Sequence, residues 1–263
     1  MHNDIRPVVL CIAGHDPSGG AGIQADIEAV AAQGGHAATV VTALTDQDTR
    51  NAYAVMPVEN AQVRRHVERV FADMSVAAVK IGLLGSAETA HAVSACLAER
   101  TGTPIVLDPV IRAGGGGELA DAALVAALHE LMPQATVTTP NVQELRRLAP
   151  ETNSPGEAAA ALPIAAGGYL LVTGGDEPGR TIVNRLYAGG REIRRFDWPR
   201  LPHAYHGSGC TLSSAIAALL ARAVAPVEAI ETAQRYTWHC LERAHRPGRG
   251  QHIPARLPEA GDE

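Results

Sequence analysis

Val8-Val-Leu-Cys-Ile12, the segment from Gly22 to Gln33, and Ala38-Thr-Val-Val-Thr-Ala-Leu44 decide the fold of this chain. The first and last are short apolar runs and read as buried strands. The middle segment carries the period of a helix and stops at Gly34-Gly35. Strand, helix, strand is a crossover unit, and units of this kind build parallel sheets.

The pattern continues outward. Asn60 to Asp73 places Val63, Val67, Val70 and Phe71 at helical spacing. Val76 to Ile81 predicts a strand and Ala87 to Arg100 a helix. Pro104-Ile-Val-Leu-Asp108 predicts a strand ending in an acid, followed by a helix over Leu119 to Leu131. Ala135-Thr-Val-Thr-Thr139 is a strand closed by Pro140. Asn141 is a fitting N-cap for a helix to Leu148. After the strand Tyr169-Leu-Leu-Val172 the pattern changes. Ile182 to Tyr187 and Glu192 to Phe196 alternate around Ala188-Gly-Gly190, the signal of a hairpin. Thr211 to Ala223 and Val227 to Ala244 close the chain as helices. The expected class is α/β: three layers, a central, mostly parallel sheet with helices on both faces, and a small β-hairpin in the C-terminal third. One domain over residues 1–263 is expected. The Pro-, Gly- and charge-rich tail 246–263 is expected to be loosely held.

Apolar residues make up 46% of the chain but aromatics only 3%, so the core must be aliphatic and alanine-rich. Net charge is −6 with no basic run, which argues against nucleic-acid binding. Cys11, Cys96, Cys210 and Cys240 are widely spaced, against a disulfide framework or zinc site. Met1-His-Asn-Asp-Ile-Arg-Pro7 is too polar for a signal peptide, and no apolar stretch reaches membrane-spanning length. A cytoplasmic protein with no membrane partner is expected.

In open α/β sheets, ligands sit beyond the carboxyl ends of the strands. The polar and glycine-rich stretches fall there: Gly14 to Gly22, Thr45 to Asp48, Gly82 to Gly85, Asp108 to Gly117, and Asn141 with Glu144. Gly207-Ser-Gly-Cys210 opens the next-to-last helix. Its glycines allow backbone N–H groups to turn inward, and the helix dipole adds positive potential, so the run predicts an anion cradle. Cys210 sits inside it, where the helix N-terminus favours a thiolate. The plainer reading is a glycine turn and a small packed thiol.

Gly20-x-Gly22-x-x-Ala25 fits a loose dinucleotide fingerprint, but the loop after Ile12 is too long for that tight turn. No phosphate-binding Gly-x-x-x-x-Gly-Lys-[Ser/Thr] run occurs. Gln47 offers one donor and one acceptor face, suited to an aminopyrimidine edge. Asp26 could equally be a surface acid. Asp108 is strand-end punctuation or a magnesium-related acid. Asn141 and Glu144 lie one turn apart, as an N-cap with a helix-start acid or as two oxygen ligands. The eleven histidines show no ligand spacing and read mostly as surface residues; Cys11, Cys96 and Cys240 read as packing residues.

Together these motifs resemble the hydroxymethylpyrimidine and phosphomethylpyrimidine kinases of thiamine biosynthesis, in the ribokinase-like superfamily. The resemblance runs from Pro7 to Pro254. It rests on Asp16-Pro-Ser-Gly-Gly-Ala-Gly-Ile-Gln-Ala-Asp26, Thr42-Ala-Leu-Thr-Asp-Gln47, Val79-Lys-Ile-Gly-Leu-Leu-Gly85, Leu107-Asp-Pro-Val110, Thr139-Pro-Asn141 with Glu144, and His206-Gly-Ser-Gly-Cys210, in that order. It implies ATP and Mg2+ as cofactors, a small pyrimidine substrate and a homodimer. It implies a pyrimidine pocket of Gly14, Ala21, Asp26, Thr45, Gln47, Leu83 and Val110. Gly207, Ser208, Gly209 and Cys210 would form the phosphoryl anion hole, with Cys210 where the superfamily usually has an aspartate base. Asn141 and Glu144 would act through magnesium and the ATP phosphates, with Asp108 a second metal acid, and Thr173 and Gly175 would lie on ATP. Three residues depart from the family: His15 for Ser or Thr, Ser208 for Thr, and Thr173 where Lys is usual. Arg112 is a candidate replacement for that lysine. The implied reaction is phosphorylation of 4-amino-5-hydroxymethyl-2-methylpyrimidine, then of its monophosphate. Pyridoxine or pyridoxal kinase is the nearest alternative. A non-catalytic pyrimidine sensor is a rival, on Thr173 alone, and a sugar kinase would carry an aspartate at 210.

Overall fold

The computed structural model describes residues 6–111 and 122–258. β1 (Val8–His15), α1 (Gly22–Ala32) and β2 (His36–Gln47) form the expected crossover unit, with β1 and β2 parallel. β3 (Ala52–Pro57) then folds back antiparallel on β2. The sequence predicts no strand there. β3 is the sheet edge and lies largely open to solvent, so no face of it needs an apolar period.

The chain continues through α2 (Asn60–Asp73), β4 (Val76–Ile81), α3 (Ala87–Ala98), β5 (Ile105–Leu107), α4 (Ala122–Leu131) and β6 (Val137–Thr138). Next come α5 (Val142–Leu148), α6 (Pro155–Ala161) and β7 (Tyr169–Val172). β8 (Thr181–Ala188) and β9 (Arg191–Pro199) make the expected hairpin. α7 (Ser208–Ala221) and α8 (Pro226–Glu242) close the fold. The start of the helix predicted from Leu119, and Arg112 with the glycine run after it, lie outside the described residues.

Among the described residues there is one nine-stranded sheet in the order β3-β2-β1-β4-β5-β6-β7-β8-β9. The strands from β2 to β7 in that order are parallel; β3, β8 and β9 run against their neighbours. Alternate residues of β1 feed two cores. Leu10 and Ile12 pack with Val63, Val67, Val93 and Leu128 on the α2–α6 side. Val9 and Cys11 pack with Val30, Ile216 and Ile230 beneath α1, α7 and α8. Each fully buried aliphatic side chain contributes about 1.5–3 kcal/mol, and covering both faces explains why these strands read as unbroken apolar runs.

The tail is not loosely held where it is described. His245 pairs with Ile253, the Ala255 N–H donates to the Cys240 carbonyl at 3.0 Å, and Arg256 is buried. Its composition shows only that the segment builds no core of its own; the anchoring partners are remote in sequence. No helix among the described residues is long and apolar enough to cross a membrane.

Candidate active site

The chain leaves β1 toward β2 on one side and returns at β4 on the other. That reversal opens a crevice at the carboxyl ends of the strands. A pocket of about 310 Å³ lies there. The loop after β1 and the end of β2 bring Gly14, Ala21, Thr45 and Gln47 to its wall, and the segments after β4 and β5 bring Leu83 and Val110. The segments after β5, β6 and β7 add Asp108, Asn141, Glu144, Thr173 and Gly175. Gly207, Ser208, Gly209 and Cys210 close it from the N-terminus of α7.

Gly207 makes that closure possible. Its φ of 83° is left-handed, and a Cβ there would overlap the Gly20 carbonyl oxygen. The first turn of α7 therefore packs directly on the loop after β1. The first-turn N–H groups of an α-helix have no intrahelical partners, so they are available to an anion.

Asp26 is the expected pocket residue that does not line the pocket. It is wholly buried on α1. Its Oδ1 accepts from Lys80 Nζ at 2.7 Å and from Ser214 Oγ at 2.7 Å. Lys80 is an equally buried cation in β4, and burying it demands an opposing charge. Burial alone would push the Lys80 pKa down; Asp26 first, then Cys210 and Asp108, reverse this and hold it above the ordinary lysine value.

The thiol of Cys210 also departs from expectation. Burial pushes its pKa up to about 11, although Lys80 and the Gly22 N–H pull the other way. Lost hydration outweighs the helix N-terminus, so the resting group is a neutral thiol.

Asn141 and Glu144 form a capping box: Asn141 Oδ1 accepts from the Glu144 N–H at 2.8 Å, and Glu144 Oε2 from the Asn141 N–H at 2.9 Å. The plainer reading of the pair is thus correct as local structure, yet both residues face the pocket. Burial raises the pKa of Glu144, and nearby Asp108 raises it further. Burial likewise raises Asp108, against the pull of Lys80. Two carboxyls that each resist ionisation suit a shared divalent cation. No cluster of three metal-binding side chains occurs among the described residues, so a cation here would complete its shell with water and phosphate oxygens.

Sequence reasoning overlooked Asp16, His206 and Lys80. Asp16 Oδ1 accepts from the Ser18 N–H and Oγ, both at 2.8 Å, and Oδ2 from the Ala21 N–H at 2.8 Å. Burial would raise its pKa, but hydrogen bonds from His206 and Ser18 prevail and lower it to about 2. The signal was present: Asp-Pro-Ser is turn chemistry. Lys80 was readable as a lone charge inside an apolar strand. His206 is buried rather than at the surface, with Nε2 at 2.8 Å from Asp16 Oδ2 and 2.7 Å from the Gln47 amide. One ring nitrogen cannot donate to Asp16 and accept from Gln47 together. Ionised Asp16 accepts from the Nε2–H, which assigns the Gln47 amide with its oxygen toward the ring and its NH2 toward the pocket.

A second recess of about 120 Å³ shares Thr173, Gly175, Ser208 and Gly209 with the first. Trp198 and Trp238 line it and stack at 6.4 Å between ring centroids. Asn184 and Gln234 are also in its wall: Asn184 Nδ2 and Trp198 Nε1 both donate to Gln234 Oε1. A polar compartment and an aromatic one therefore meet at the first turn of α7.

The sequence profile of the family described as phosphomethylpyrimidine kinase matches residues 16–255. A hydroxymethylpyrimidine/phosphomethylpyrimidine kinase of Rhizobium meliloti is 38% identical, over 93% of this chain and 94% of the relative. The thiamine biosynthesis bifunctional protein ThiED of Geobacter sulfurreducens is 40% identical over 93% of this chain, which spans only 51% of that longer protein. An ADP complex of Bacillus subtilis pyridoxal kinase superposes with a TM-score of 0.85 at 28% identity, covering 95% of this chain and 97% of that one. Phosphomethylpyrimidine kinase of Clostridium difficile gives 0.74 at 29% identity, covering 88% and 98%. The fold is ribokinase-like, and the chain belongs to the phosphomethylpyrimidine kinase family.

Proposed function

We propose that the protein transfers the γ-phosphoryl group of ATP to the hydroxymethyl group of 4-amino-5-hydroxymethyl-2-methylpyrimidine, and then phosphorylates the monophosphate. The observation that carries this reading is the meeting of the two compartments at Gly207–Cys210. The polar compartment would take the pyrimidine, with the free NH2 of Gln47 donating to a ring nitrogen at the aminopyrimidine edge. The aromatic recess would take the adenine, leaving the phosphates against Thr173, Gly175 and the start of α7.

Phosphoryl transfer needs alignment and charge stabilisation more than covalent chemistry. The N–H groups at Gly207–Cys210 would hold charge developing on the γ-phosphoryl oxygens; one such donor is typically worth about a hundredfold or more in rate. Cys210 would accept the hydroxyl proton only as its thiolate, the minor form at neutral pH, as the oxygen–phosphorus bond forms and ADP departs. Asp108 and Glu144 would hold Mg2+, which supplies charge neutralisation between phosphate oxygens. The same proposal includes action in the cytoplasm and a homodimer. The exposed pair Leu44 and Met56, with Tyr53, at the β2–β3 edge supports self-association, which light scattering tests.

An ADP-release assay with magnesium-ATP tests the reading, comparing hydroxymethylpyrimidine, its monophosphate, pyridoxal and ribose. Turnover on both pyrimidines, well above pyridoxal, is expected. Preference for pyridoxal would instead assign the activity of the Bacillus subtilis neighbour. Pyrimidine binding without any turnover would indicate a sensor.

A further inference from the structure

Arg256 belongs to the tail, yet its side chain is buried. It is 2% exposed. Its guanidinium reaches three separate pieces of chain. Nε donates to Thr211 Oγ1 at 2.8 Å, Nη1 to Glu28 Oε2 at 2.9 Å, and Nη2 to the Gly20 carbonyl oxygen. Thr211 Oγ1 in turn donates to the Gly207 carbonyl at 2.8 Å. A Cβ on Gly207 would lie 2.8 Å from Nη2. Arg256 does not line the pocket, but its partners adjoin residues that do: Gly20 precedes Ala21 and Gly22, and Thr211 follows Cys210.

The segment carrying it is itself fastened beside the pocket. The Gln251 N–H donates to the Thr49 carbonyl at 2.8 Å, and the His206 N–H to the His252 carbonyl at 2.9 Å. Tyr236 Oη donates to the Arg256 carbonyl at 2.8 Å. The backbone thus delivers the guanidinium in a fixed place, and its planar fork fixes the angle between its three acceptors.

We propose that Arg256 is a positioning residue for phosphoryl transfer, clamping the loop after β1 to the first turn of α7 so that the anion-hole N–H groups and Cys210 face one point. The proposal rests on the kinase reading above. Lysine in its place keeps one charge for Glu28 but cannot hold Gly20 and Thr211 as well. Displacing a reacting group by about an ångström costs about a hundredfold. Arg256→Lys and Arg256→Gly are therefore expected to lose about 10- to 100-fold in kcat. KM for the pyrimidine should stay within about threefold, because Gln47 and Asp16 are held by other partners.

The experiment first establishes wild-type turnover on hydroxymethylpyrimidine, then compares the variants with and without millimolar guanidinium chloride. Guanidinium should restore kcat to Arg256→Gly and not to Gly207→Ala, and equimolar urea should restore neither. A merely structural arginine would lower the melting temperature without this selective rescue, and that result overturns the proposal. Amide hydrogen exchange at Gly20–Gly22 and Ser208–Thr211 gives a readout independent of turnover. Faster exchange in Arg256→Lys supports the clamp; unchanged exchange overturns it, even if the wild type proves inactive and the kinase reading falls.

Discussion

The protonation state of Cys210 can be tested sharply. The thiol stands at about 11 against an ordinary value of 9.0, with burial the main cause. At pH 8, an ordinary cysteine is about one-tenth ionised, while Cys210 is ionised about once in a thousand. Only the thiolate alkylates. Iodoacetamide labelling of the ligand-free protein, followed by mass spectrometry of the Cys210 peptide, should therefore run about a hundredfold slower than in the unfolded chain. The pH profile separates electrostatics from shielding. A raised pKa makes the rate climb about tenfold per unit through pH 10, whereas a shielded ordinary thiol levels off near pH 9. Folded and unfolded chains labelling alike at pH 8 would refute the argument.

The same number constrains catalysis. If the thiolate takes the hydroxyl proton, turnover at saturating substrates should rise about tenfold per pH unit between 7 and 9. A flat profile over that range would remove Cys210 from proton transfer and leave it as part of the cradle wall. Cys210→Ala retaining most of the turnover would say the same by another route.

Gly207→Ala should cost more than about 1 kcal/mol, because alanine is placed at positive φ against the Gly20 carbonyl; thermal melting checks this, and turnover should fall about a hundredfold. Lys80→Met strands Asp26 as a buried charge and should cost about 3–5 kcal/mol in urea unfolding, whereas Lys80→Met with Asp26→Asn should recover most of it; equal losses in both would contradict the pairing. Asp16 is depressed to about 2, so its stabilisation is present above the ordinary carboxylate value near 4 and is lost as pH falls through 2. Asp16→Asn should be less stable by about 1–2 kcal/mol at neutral pH, after allowance for solvent screening. That gap should narrow as acid unfolding is followed from pH 4 downward.

What could be read from the residues was whatever is local. Asn60–Asp73, Val76–Ile81 and Tyr169–Val172 occur with the predicted limits, because each has a face or run that must be covered. β3 was hidden because an edge strand needs no apolar face. α6 was hidden in an alanine stretch, although Ser154 caps it and Pro155 opens it. In the site, the glycine turns and strand-end residues assemble as expected, since open parallel sheets place them together. The errors all concern burial at a distance. Asp26 was read as a pocket wall because nothing near it in sequence reveals Lys80. Cys210 was read from its helix alone, without the loss of water that decides its pKa. The tail was read from composition, while one arginine secures it to α1, α7 and the loop after β1.

Charge in the pocket decides how a polyanion could bind. Among the described lining residues are Asp16, Asp108, Glu144 and Asp176, and no lysine or arginine. Lys80, buried behind the pocket, is 2.7 Å from Asp26 and committed to it, while Arg200 and Arg256 donate to the carbonyl oxygens of Gly175 and Gly20 at the pocket rim. Asp16 is balanced by its own hydrogen bonds and contributes little unmet charge. Asp108 and Glu144 are different. Both resist ionisation, so a triphosphate arriving alone would push their pKa values further upward. A divalent cation arriving alone would have two carboxylates, less than the six oxygens it seeks. Together they would satisfy each other: Asp108 and Glu144 would hold the cation as carboxylates, the cation would offset phosphate charge, and the α7 N–H groups would receive what remains. Thr173, where the resemblance leads one to expect a lysine, would then not by itself abolish phosphate binding. The burden of charge would fall on the cation, so nucleotide affinity should drop steeply in calorimetry when the divalent ion is withdrawn, and affinity indifferent to the ion would refute the argument.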